Sequence, residues 1–234
     1  MIRLSALPTL ILAASAFAMA QDPVPQEWRK ARNSQDRAAL ERAVGEAQAA
    51  AGQRGSDAKA QYRAALAESL HAEILAEQKD KKGSGSAAEN GIRFAEKAAS
   101  LSPNTAEYHR LWGALCGQTI PANIMFALRY GRCAMDEVNK AIQLDPKSSM
   151  AWLSKGVGNY YLPANFGGGP DQALKDLQKA TQLDAKNADA WLWQGIVLRK
   201  LNRNAEARKA FEKSLSLDAG RVWTKQQLDK TPPQ

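Results

Sequence analysis

Residues 188–219 read ADAWLWQGIVLRKLNRNAEARKAFEKSLSLDA, and the spacing of four of them decides the architecture. Trp191 and Gly195 stand four apart, Ala207 and Phe211 stand four apart, and twelve residues separate Gly195 from Ala207. Steps of four keep residues on one helical face. The stretch is therefore read as two antiparallel helices, in which Gly195 and Ala207 let the backbones approach while Trp191 and Phe211 fill the space beside them. Leu217-Asp218-Ala219 then ends the second helix.

The same landmarks recur upstream. Leu101-Ser102-Pro103, Leu144-Asp145-Pro146, Leu183-Asp184-Ala185 and Leu217-Asp218-Ala219 punctuate the chain at intervals of 43, 39 and 34 residues. Trp152 and Gly156 repeat the first pair, but Ala173 follows Gly156 by seventeen residues; His109 and Gly113 repeat it again, with Ala134 twenty-one later. The excesses of five and nine match the excesses in the punctuation intervals, so they are read as insertions near Leu162–Pro170 and Gly117–Phe126. A repeating unit of two helices cannot bury its apolar face alone, and stacked units form one continuous core.

This pattern resembles the tetratricopeptide repeat family, most closely in the last two units and least in residues 58–103, where Phe94, Ala98 and the terminator fit and Gly91 stands in place of the usual Ala. The resemblance implies an all-α superhelix of three to four helix pairs, with units near 56–103, 104–147, 148–187 and 188–219. It also implies a binding protein that catalyses nothing. A narrower resemblance lies in Asn159-Tyr160-Tyr161-Leu162-Pro163-Ala164-Asn165-Phe166-Gly167-Gly168-Gly169. It is similar to segments of the regulator of microtubule dynamics family and of periplasmic tetratricopeptide proteins associated with uptake systems.

Outside the repeats, residues 21–55 are expected to hold an amphipathic helix over Asp36–Ala51 with Leu40, Val44 and Ala47 on one stripe. Lys81-Lys82-Gly83-Ser84-Gly85-Ser86 reads as a solvated connection. In residues 220–234, Arg221–Lys230 is expected to cap the stack, with a frayed tail from Thr231. Residues 1–20 carry Arg3, an apolar stretch and Ala18-Met19-Ala20, the pattern of a cleaved secretory leader, the alternative being an uncleaved anchor helix of marginal length that contains Pro8. Export to a periplasm or beyond follows, with Gln21 first in the mature chain. In an oxidising compartment Cys116 and Cys133 can pair with each other, or can remain two small buried hydrophobes.

At 234 residues with 44% apolar and 24% charged, the composition excludes wholesale disorder, and after residue 20 no apolar run is long enough to cross a bilayer. Catalytic motifs find no frame. Ser56-Asp57-Ala58-Lys59 matches a Ser-x-x-Lys nucleophile without its partner motifs, so Ser56 is read as a helix cap. Phe166–Asp171 lacks the Lys and preceding strand of a phosphate loop and is read as a tight turn in which glycines supply positive φ and Pro170 opens a helix. His71 and His109 make no metal pattern, and no cofactor is implied. The net charge of +8 includes a cluster at Arg199, Lys200, Arg203, Arg208, Lys209 and Lys213, interrupted by Glu206 and Glu212. Such a face suits acidic partners or anionic membrane surfaces better than nucleic acid.

In the implied superhelix the first helix of each unit lines the concave side. Counting from the landmarks, the candidate groove holds Arg110, Met150, Leu153, Val157, Tyr160, Tyr161, Leu192, Ile196 and Arg199, with Glu107 and Asp189 at its ends. An apolar floor with arginines at the rim fits a peptide of a partner protein or an elongated acidic small molecule. The alternative is that Leu153, Val157, Leu192 and Ile196 serve only to pack units together.

Overall fold

The computed structural model describes residues 24–123 and 125–233; the leader pattern of residues 1–20 lies outside them. The helices are α1 (Gln26–Asn33), α2 (Arg37–Gln53), α3 (Ala58–Glu77), α4 (Lys81–Leu101), α5 (Ala106–Thr119), α6 (Met125–Leu144), α7 (Ser149–Tyr161), α8 (Pro170–Leu183), α9 (Ala188–Lys200), α10 (Asn204–Leu217) and α11 (Val222–Asp229). No strand occurs among the described residues. Helices α3/α4, α5/α6, α7/α8 and α9/α10 form antiparallel pairs, and α3, α5, α7 and α9 also touch in succession to make an inner layer. The result is an all-α superhelix.

The repeated landmarks have one physical explanation. Trp191 Nε1 donates to Ala185 O and Trp152 Nε1 to Pro146 O, each at 3.0 Å, and His109 Nε2 lies 2.9 Å from Pro103 O. In all three units a ring nitrogen meets the carbonyl six residues earlier, the third residue of the punctuation triplet. His109 therefore replaces the indole in function as well as position, while its Nδ1 meets Glu137 Oε2 at 2.6 Å. The small residues act as expected: a Cβ on Gly156 would stand 2.6 Å from Leu177 and 3.2 Å from Ala173 O, and one on Gly195 would stand 2.6 Å from the Phe211 ring. In the first pair the close approach comes from Gly91 on the second helix, where an added Cβ would stand 3.0 Å from Glu68 Cβ and 2.7 Å from Leu115.

Three local readings change. The segment Lys81–Ser86 is helix, the start of α4, because Asp80 caps it by accepting from Gly83 N at 2.8 Å and because Ser84 and Gly85 are buried. A Cβ on Gly85 would stand 2.5 Å from Ala122 Cβ, so the glycine that suggested a flexible linker is there for close packing. The cap of α3 is Asp57, which accepts from Lys59 N and Ala60 N, and Ser56 stays exposed. Thr231 is not frayed: it is 2% exposed, and Arg208 donates to its carbonyl at 2.7 Å. Arg208 thus fastens the last helix.

The insertions fall where the spacing placed them. The first forms a 3-10 turn at Ile120–Ala122 and a lengthened α6, and a disulfide joins Cys116 of α5 to Cys133 of α6 with Cα atoms 6.0 Å apart. The second forms a 3-10 turn at Ala164–Phe166, then Gly167 and Gly169 at φ of 86° and 97° and Pro170 as the first residue of α8. Gly169 N donates to Asn159 O at 2.8 Å, closing the loop.

Beneath the first two pairs lies an ionisable group that carries a cost. Glu68 is 2% exposed and accepts from Gln48 Nε2 at 2.6 Å, and burial pushes its carboxyl up to about 7. A raised acid favours the fold fully below the ordinary glutamate range, and this advantage is lost as pH climbs through 7. Glu68→Gln keeps the acceptor for Gln48 and removes the titration. Its stability should exceed that of the parent by up to about 3 kcal/mol at pH 8 and by little at pH 4.5, read by urea unfolding at both pH values.

The two ends of the superhelix meet. Arg32 of α1 donates to Glu73 of α3 at 2.7 and 2.8 Å and to Asp189 of α9 at 2.8 Å. Arg221, at the start of α11, is 2% exposed and donates to Glu77, to Glu73 at 3.0 Å and to the carbonyl of Arg32 at 3.1 Å. Asn33 adds bonds to both carboxylate oxygens of Asp218 at 2.8 Å. Helix α1, which lies before the helix expected over Asp36–Ala51 and is not identified in the sequence, thereby bridges the first and last pairs.

Candidate functional site

The inner layer decides what the groove can offer. Leu192 has no exposure, and Leu153 and Ile196 are each 6% exposed; all three belong to one core with Leu177, Val197 and Phe211. In this conformation they hold units together and present little surface, that of Ile196 lying in the wall of the cleft described below. Arg110 is 7% exposed and is committed internally: it donates to both oxygens of Glu107, to Oε2 at 2.7 Å, and its Nη1 reaches Ser154 Oγ at 3.4 Å. Tyr62 also donates to Glu107, at 3.0 Å. Burial works to lower the Arg110 pKa, but Glu107 outweighs it and holds the guanidinium above its ordinary value. Arg199 is committed as well, donating to Gln227 O at 2.9 Å, Gln227 Oε1 at 2.6 Å and Thr231 Oγ1 at 3.2 Å. These bonds fasten the last helix; Arg110 is closed off from the rim, and Arg199 stays half-buried with its guanidinium engaged. Glu107 and Asp189 are likewise taken by Arg110 and Arg32.

What remains accessible is aromatic. Tyr160 and Tyr161 at the end of α7 have ring centroids 5.0 Å apart, and Trp193 of α9 lies 6.0 Å from one and 6.2 Å from the other. Trp223 of α11 continues the row at 5.7 Å from Trp193, all four meeting edge to face. Tyr161 is 55% exposed, and Tyr160, Trp193 and Trp223 are half-buried. Val157, one turn before Tyr161 on α7, and Met150, at the start of the same helix, are half-buried. Beside it an open cleft of about 450 Å³ is lined by Tyr160, Ile196, Arg199, Lys200 and Asn202. Of the candidate groove residues, the structure leaves Val157, Tyr160 and Tyr161 half-buried or exposed at the end of α7 and Met150 half-buried at its start, keeps Ile196 and Arg199 in the wall of the cleft, and withdraws Arg110, Leu153 and Leu192.

Landmark counting misses Trp193 and Trp223. Trp193 sits four residues after Asp189 and so shares its face, a turn away from the Leu192–Ile196 stripe that the landmarks mark out. Trp223 belongs to the last helix, which the sequence presents only as a cover. Among the described residues no group of three or more His, Cys, Asp or Glu could hold a metal ion, and no helix is long and apolar enough to cross a membrane.

Comparison with known proteins supports the repeat class. Residues 188–220 match the family model of the tetratricopeptide repeat. A thermophilic tetratricopeptide protein of Thermus thermophilus, TTC0263, superimposes with a TM-score of 0.60 at 15% identity, covering 82% of this chain and 91% of that one. The HusA haemophore of Porphyromonas gingivalis superimposes with a TM-score of 0.53 at 21% identity, with the same coverage of 82% and 91%. These are likenesses of fold. No curated protein matches the chain.

Proposed function

We propose that this chain is an exported, non-enzymatic interaction scaffold that grips a segment of a partner protein along the Tyr161–Tyr160–Trp193–Trp223 row. The row itself carries the reading. Four large aromatic rings from three successive inner elements form one continuous surface, and such rings are the usual anchors of protein interfaces. Their burial beneath a partner would be apolar, and Lys200 at the adjoining cleft would favour an acidic group on the bound segment. The tetratricopeptide fold supports a scaffold role, and so does the likeness of Asn159–Gly169 to the two binding-protein groups named in the sequence analysis. Export is supported by the leader pattern and by the Cys116–Cys133 disulfide, since such bonds persist outside the reducing cytosol.

The test is capture of partners from the cell envelope fraction by the immobilised protein. Tyr161→Ala and Trp193→Ala should each weaken capture of a specific polypeptide about thirtyfold, each lost anchor costing about 2 kcal/mol, and together by more than either alone. Unchanged capture would overturn the assignment. The cleft of about 450 Å³ favours a second reading, a small acidic or apolar ligand. A haemophore among the proteins of this fold is compatible with it. Native mass spectrometry separates the two readings: a retained small molecule that Lys200→Ala at the cleft releases would support the ligand, and a stable polypeptide complex would support the scaffold.

A further inference from the structure

The outer layer consists of α4, α6, α8 and α10; α8 and α10 keep large apolar side chains off their exposed positions, α4 exposes only Leu101 at its end, and α6 departs from all three. The exposed positions of α8 are Asp171, Lys175, Gln178, Lys179 and Gln182, and those of α10 are polar or charged apart from Ala205. On α6, by contrast, Leu128 is 81% exposed, Met125 60% and Met135 49%. Helical spacing aligns these three on one outward stripe with Arg132, and Arg129 lies beside them. Helix α6 packs on α5, α7 and the 3-10 turn, and the stripe faces away from all three.

The length of α6 adds to the anomaly. It has 20 residues against 14 in α8 and α10, and the excess lies before Ala134, the equivalent of Ala173 and Ala207. Six residues of helix extend it by about 9 Å. Helix α4 runs beside this extension, since Gly85 is packed against Ala122 and lies near Phe126, and it opens with the exposed Lys81 and Lys82. The end of the hairpin therefore shows Pro121, Met125 and Leu128, with Lys81, Lys82, Arg129 and Arg132 around them. Of the neighbouring acids, Glu89 is engaged by Tyr130 at 2.8 Å and by Arg129 at 3.6 Å, and Asp80 by Arg37 at 3.2 Å, leaving Asp136 on the stripe.

We infer that the outer face of α6 and the adjoining start of α4 dock on an anionic phospholipid surface. Apolar side chains on one projecting helix, bordered by cations, match a helix that lies in the headgroup layer, where burial reaches about 5–10 Å and each nearby Lys or Arg adds attraction. The face is a single outward helix, which fits a plane better than it fits an extended peptide that needs a groove. The disulfide at Cys133 ties the presenting helix to α5.

Vesicle sedimentation tests this directly. The purified chain should sediment with phosphatidylglycerol–phosphatidylcholine vesicles and at least about tenfold less with phosphatidylcholine alone, and added salt should weaken the binding. Leu128→Asp should reduce the anionic-vesicle binding by about tenfold, and Lys82→Glu with Arg132→Glu by at least as much. These exposed substitutions should leave the thermal unfolding midpoint unchanged, which separates lost docking from lost folding. Equal binding to both vesicle types, or binding indifferent to Leu128→Asp, would overturn the inference. So would a dimer in sedimentation velocity that Leu128→Asp dissolves while vesicles capture nothing, which would assign the stripe to self-association.

Discussion

Arg221→Met will lower the stability of the chain by about 3–5 kcal/mol at neutral pH, the loss typical when one partner leaves a buried ion pair. The substitution removes one of two guanidiniums from a cluster with three carboxylates, those of Glu73, Glu77 and Asp189. Glu77 is 2% exposed, and burial together with Glu73 pushes its carboxyl up to about 7 even with Arg221 present. Glu73 moves the other way: burial alone would raise it, but Arg32 and Arg221 hold it at about 2. The signs then set the pH dependence. The raised Glu77 contributes stability that is whole below about pH 4.5 and is lost as pH rises through 7, whereas the depressed Glu73 contributes stability that is lost as pH falls towards 2. The parent should be most stable between those limits, and Arg221→Met should flatten the acid side of the curve. Denaturant unfolding followed by circular dichroism from pH 3 to pH 8 reads both effects; a loss below about 1 kcal/mol would show that the cluster does not hold the ends together.

Phe211→Ala should cost about 3–5 kcal/mol, because the ring has no exposure and fills the space over Gly195. The partner substitution fails for the opposite reason. Gly195→Ala places a methyl 2.6 Å from that ring, and overpacking of this kind costs about 1–3 kcal/mol. Because the two changes act on one contact, they should not add. Gly195→Ala in the Phe211→Leu background should cost less than it does alone, and a double-mutant cycle on unfolding free energies measures the difference. Additive costs would mean that the glycine and the phenylalanine are not facing partners, and the repeat register would have to be redrawn.

The repeat was legible because its positions are set by contacts that admit few residue types. A glycine beneath Leu177 or Phe211 leaves a mark at fixed spacing, and so does a ring that must reach the carbonyl six residues back. Even His109 was readable as a substitute, since an imidazole nitrogen can occupy the place of the indole nitrogen. Lys81–Ser86 misled because glycine and serine suit loops by propensity, whereas here their small size admits Ala122. The groove was only half legible. Spacing identifies a face but not which of its side chains a neighbour will claim: Arg110 was claimed by Glu107 one turn back on its own helix, and Arg199 by the last helix. The bridge made by α1 joins Arg32 to Asp189 across 157 residues, and no local pattern reports such a contact.

That bridge changes how the molecule should come apart. An open stack of helical pairs peels from whichever terminus is weaker, because each pair is held only by its neighbours. Here the bonds of Arg32, Asn33 and Arg221 leave no loose edge from which peeling can start, so the N-terminal helix should exchange its amide protons no faster than the interior pairs do.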